Sequence, residues 1–217
     1  MFERRFVKGA TVEVRAKSDT RSDGLEGYGA VFNEDYVLYE DSGFRVVETI
    51  KPGAFARALR EKQDVRCLFN HNTDNVLGRT TNDTLRLNED QKGLRFDDDL
   101  DMRTPIAQSV AAFVDRRDVT GCSFAFVVRK ATWTEDIGDT METWTRTIED
   151  VDLYDVGPVT YPAYEGTSVG NRAAFEQRSH DMSDMPAKVR ARLTGQLPAS
   201  ELARARAKQR LAEISLT

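Results

Sequence analysis

An α+β fold, organised as a closed or barrel-like antiparallel sheet flanked by helices, follows from three observations. Short runs of alternating apolar and polar residues recur through the first 156 positions, the mark of half-buried strands. Only two stretches in that region carry helical spacing. Glycine, proline and asparagine clusters separate the runs at short intervals, as hairpins and tight bends require.

In chain order, residues 11–16 alternate as a strand, and a polar turn at 18–24 leads into a second strand at 25–33. Gly27 and Gly29 in that strand suggest a close backbone approach or a bend of a barrel wall. Residues 34–43 read as a polar, tyrosine-bearing loop before strand character resumes at 44–50. Pro52-Gly53 breaks the chain ahead of a short helix, where Phe55, Ala58 and Leu59 share a face. Residues 64–69 form a strand that runs directly into Asn70-His71-Asn72. A hairpin follows at 84–96, its loop at 88–92.

Thr104-Pro105 supplies an N-cap and a proline at the first helical position. Ile106, Val110, Phe113 and Val114 then line one buried face. Gly121 to Val128 is a buried strand, and residues 143–156 are a long extended segment. Pro158 to Tyr164 is excluded from a central strand, since proline donates no ladder hydrogen bond. Strand signals stop near residue 170. The expected organisation is a domain at 1–175, a linker at 176–187 and a basic helical tail at 188–217, capped by Ser200 and poor in apolar stripe.

Charged residues make up 31% of the chain and apolar ones 40%, the balance of a soluble protein. No run approaches the roughly 18 apolar residues of a membrane span. The first nine residues lack the apolar core of a secretory signal, which points to synthesis in the cytosol. Residues 1–187 hold 24 Lys and Arg against 34 Asp and Glu, whereas residues 188–217 hold seven against two. The acidic body argues against nucleic-acid binding by the main domain. Two cysteines and two histidines, widely scattered, provide neither a disulfide framework nor a zinc site, so no metal or other cofactor is expected.

The chemistry-bearing stretch is Gly121-Cys122-Ser123-Phe124. A serine in a buried strand needs a hydrogen-bond partner, or it costs about 1–3 kcal/mol. That partner is either a neighbouring carbonyl or a histidine, and the latter would make Ser123 a nucleophile. His180 falls in the polar linker, while His71 ends a strand, where sites are commonly built. Cys122 is the rival nucleophile, but alternation turns it to the opposite strand face, and like Cys67 it suits core packing.

Six segments in order across residues 25–172 resemble the prohead maturation proteases of tailed phages: Gly27 to Asn33, Pro52-Gly53-Ala54-Phe55, Leu68-Phe69-Asn70-His71, Leu77-Gly78-Arg79-Thr80, Gly121 to Phe124, and Val151-Asp152-Leu153 leading to Pro158 to Tyr164. That family is similar to the herpesvirus assemblins, serine proteases on a β-barrel surrounded by helices. The resemblance implies a serine endopeptidase with Ser123 as nucleophile and His71 as base. For the third member it favours Asp150, with Glu149 and Asp152 as competitors; Asp150 and Asp152 share a strand face and Glu149 points away. It also implies an oxyanion donor in the Gly157-Pro158-Val159 turn, where Pro158 lacks an N–H and Val159 supplies one. The partners implied are the major capsid protein with its scaffolding segment and the chain itself, by autoproteolysis or as a homo-oligomer, with no membrane and no specific nucleic acid. The place implied is the prohead in the host cytoplasm.

Overall fold

The computed structural model describes residues 3–5, 9–18, 23–161 and 184–194. Eleven strands form one sheet: β1 (Glu3–Arg5), β2 (Thr11–Arg15), β3 (Gly24–Val31), β4 (Tyr36–Asp41), β5 (Phe44–Ile50), β6 (Arg66–Leu68), β7 (Val76–Arg79), β8 (Leu85–Glu89), β9 (Gly93–Asp99), β10 (Gly121–Ile137) and β11 (Glu142–Val159). The helices are α1 (Ala56–Arg60), α2 (Pro105–Asp115) and α3 (Ala187–Thr194). The α+β class therefore stands. Closure does not: the pairing runs β4-β5-β11-β10-β2-β3-β9-β8, and among the described residues β4 and β8 remain as ends.

The capping signal at α2 works as its chemistry requires. Thr104 is the N-cap, its hydroxyl accepting from Ala107 N–H, and Ala107, Val110 and Val114 are buried. Two segments depart from expectation. Residues 36–41, expected in a loop, form β4, because Leu38 has an apolar core to enter. Pro158 lies within β11 opposite Cys122. Its nitrogen points away from β10, on the side where the β6 pairing has ended at Val156↔Cys67, so the missing N–H breaks no ladder bond.

The main core gathers Phe32, Phe55, Phe96, Phe124 and Phe126. Phe124 stacks on Phe126 with centroids 4.6 Å apart, and Phe55 meets Phe124 edge-on at 5.6 Å. A second cluster joins Leu38, Phe44, Val46 and Trp144 to Val189 and Leu193 of α3. The helix thus starts inside the expected linker and docks on the sheet. The spacing of Val189 and Leu193 at i and i+4 is a narrow stripe, yet both are buried. Asp184, just ahead of α3, accepts from the guanidinium of buried Arg146 at 3.0 Å. The Ser200 cap lies outside the described residues.

Candidate active site

The site is assembled where β6 runs parallel to β11, pairing Asp155↔Arg66 and Val156↔Cys67. Continuing from β6, the chain crosses the end of β11, and Gly157 makes that crossing possible. A Cβ there would lie 2.1 Å from the Leu68 carbonyl oxygen. The chain then turns through two left-handed residues, Asn70 (φ 57°) and His71 (φ 55°). Asparagine and histidine tolerate this region better than most residues, and such conformations gather at functional sites. The Asn70 side chain anchors the turn: its Oδ1 accepts from Thr160 N–H at 2.8 Å and its Nδ2 donates to Thr160 Oγ1 at 3.0 Å.

This turn carries His71 to Ser123. His71 Nε2 and Ser123 Oγ are 2.7 Å apart, and His71 Nδ1 lies 2.5 Å from Asp155 Oδ1. Register explains why Asp155 completes the row. Ser123 pairs with Gly157 and Ala125 with Asp155, so Ser123 and Asp155 are diagonal neighbours on one sheet face. The Arg5 carbonyl, 2.9 Å from Ser123 Oγ, is an alternative acceptor for the single hydroxyl proton. The serine and Asp155 are buried, and His71 is partly buried.

Asp150, the residue expected in the third position, stands apart from this row. Asp150 is paired with Lys130 in the ladder, five residues or about 16 Å along β11 from Asp155. Its carboxylate accepts from Arg57 Nε at 2.9 and 3.0 Å. Asp152 accepts from Arg57, Gln63 and Arg129, and hydrogen bonding to Arg129 foremost holds its pKa down to about 2. Glu149 is paired with Lys130 at 2.6 Å. None of the three reaches His71. On the same strand, a parity count from Ser123 through Gly157 marks Asp155, but only once the register is known.

Val159, the expected oxyanion donor, is placed in the β10–β11 ladder opposite Gly121. With Pro158 opposite Cys122, that pair has no direct bonds, so the flanking pairs carry them and Val159 N–H is engaged by Gly121 C=O. Cys122 faces the core, fully buried, and burial pushes its thiol well above the usual range, away from thiolate chemistry. Burial does the same to Cys67. Residues 162–164 and His180 lie outside the described residues. Among the described residues, no group of three or more His, Cys, Asp or Glu side chains converges as metal ligands.

The family profile described as Caudovirus prohead serine protease matches residues 10–184. The chain belongs to this family. No curated protein and no solved structure matches it. As a prohead serine protease by family, it has the class of activity, capsid maturation, that the motif order implied, and capsid proteins in the prohead are its family's setting. No helix among the described residues is long and apolar enough to cross a membrane.

Proposed function

We propose that the chain is the serine endopeptidase of capsid maturation, acting inside the prohead in the host cytoplasm on the scaffolding segment of the major capsid protein and on itself. The observation that carries this reading is the continuous row Ser123–His71–Asp155, at 2.7 and 2.5 Å. A serine hydroxyl is a weak nucleophile until a base removes its proton. His71 Nε2 takes that proton as Oγ attacks the scissile carbonyl, and returns it to the leaving amine. Asp155 accepts from the Nδ1–H, which selects the tautomer with a free Nε2 and stabilises the imidazolium. Water then repeats the attack on the acyl-enzyme, and no cofactor takes part.

Replacing Ser123 by alanine removes one hydroxyl from the buried, otherwise apolar start of β10, residues 121–126. Ser123→Ala is expected to leave thermal unfolding nearly unchanged and to abolish cleavage of a co-expressed capsid precursor. Normal processing by this variant would end the serine-protease reading.

A further inference from the structure

Ser123 has a second partner that a bare catalytic row does not need. Strand β1 pairs antiparallel with the nucleophile strand β10, matching Arg5↔Phe124 and Glu3↔Phe126. This brings the Arg5 carbonyl oxygen to 2.9 Å from Ser123 Oγ. With a C=O bond of about 1.23 Å, the Arg5 carbonyl carbon is within about 4.1 Å of the nucleophile. An extended segment added to a sheet edge, its carbonyl facing the serine, is how a substrate strand would lie.

The Arg5 side chain occupies a built recess. Its Nε donates to Glu48 Oε1 at 2.6 Å and its Nη2 to Glu48 Oε2 at 3.3 Å. The guanidinium carbon lies 5.6 Å from the Phe126 ring centroid and 6.0 Å from that of Tyr36. A two-oxygen carboxylate, with two aromatic rings near the guanidinium it holds, is chemistry that selects a planar guanidinium over an ammonium. Both Arg5 and Glu48 are 2% exposed. Glu48 is also held by Arg146 Nη1 at 2.8 Å, so the recess keeps one ion pair when Arg5 is absent. The family match starts at residue 10, so β1 lies outside the matched residues.

We infer that the groove filled by Glu3–Arg5 is the binding site for the substrate residues preceding the scissile bond, that Glu48 with Tyr36 and Phe126 selects arginine immediately before that bond, and that β1 is a built-in occupant holding the protease closed. The inference rests on Ser123 being the nucleophile. It accounts for the burial of Ser123, which no peptide can reach while β1 is seated. Arg5 departs as the substrate arginine enters, and the charge balance around Glu48 is restored.

The test uses the full chain. Labelling of Ser123 by a fluorophosphonate, read by mass spectrometry, is compared between wild type and Arg5→Ala. The variant is expected to label at least tenfold faster. Equal rates in two folded proteins overturn the inference and leave the serine-protease reading standing, whereas no labelling in either removes both. A second measurement covers an Arg5→Ala chain that fails to fold: turnover by the wild-type chain of fluorogenic peptides with Arg, Lys, Ala or Glu before the scissile bond. At least tenfold preference for Arg over Ala and Glu is expected, with Lys below Arg. Indifference to that residue overturns the assignment of the recess.

Discussion

His71 bonds Asp155 at 2.5 Å, although Asp155 stands five residues beyond the aspartate that the family pattern singles out. Asp155→Asn keeps the shape of the side chain and favours the wrong imidazole tautomer. An analogous change in another serine protease lowered turnover by about four orders of magnitude. A fall of about 10²–10⁴ in kcat on one peptide substrate is expected here. Asp150→Asn, Asp152→Asn and Glu149→Gln are expected to stay within about threefold of wild type, because their partners are Arg57, Arg129 and Lys130. A large loss confined to Asp150→Asn would return the assignment to that residue.

Gly157 tests how the histidine is brought into place. An alanine there drives a Cβ against the Leu68 carbonyl, a main-chain atom that cannot swing aside. The β6 end and the turn bearing His71 must then lift from β11. Gly157→Ala is expected to slow fluorophosphonate labelling of Ser123 at least tenfold while far-UV circular dichroism is retained. Unchanged labelling would show that the turn finds His71 another route to Ser123.

Helix α3 is expected to stabilise the body. Leu193 is 4% exposed against Phe44, Val46 and Trp144. Truncating a buried leucine to alanine costs about 2–5 kcal/mol. At about 2–4 °C per kcal/mol for a domain of this size, Leu193→Ala should lower Tm by about 5 °C or more. Deletion from residue 188 should do at least as much, contrary to what the poor apolar stripe of the tail implies. A melting curve unmoved by either change would mean that α3 is undocked in solution.

Asp98 gives a pH signature. Both carboxylate oxygens are buried with no partner at hydrogen-bonding geometry, and the side chain is packed against Gly78. Burial pushes its pKa well above 3.8, with the nearby Cys67 thiol opposing the shift. A folded-state pKa above the unfolded one means that the group's contribution is fully present below about pH 3.8 and is lost as pH rises toward the folded value. Asp98→Asn removes that titration. The Tm advantage of the variant over wild type should therefore be larger at pH 8 than at pH 4. A pH-independent difference would show that Asp98 is not a buried neutral acid.

By itself the amino-acid order determined the α+β class, the capped helix at Thr104-Pro105 and the burial of Cys122, while the pairing of Ser123 with His71 came from the family resemblance. The first three follow from local chemistry: alternation and cap geometry. What it left open were quantities set between strands. Asp155 and Asp150 are both acidic residues on one long extended segment, and only the register Ser123↔Gly157 decides which of them reaches His71. Val159 offers an N–H in the chain but not in the sheet, where Gly121 engages it. Residues 36–41 and 187–194 looked too polar to pack, yet a handful of apolar side chains found one shared cluster. The seating of Arg5 beside Glu48, 43 residues away, leaves no local trace at all. A residue's own type and its near neighbours set propensity, whereas long-range partners are chosen by closing the chain into a sheet, and that choice exists only in three dimensions.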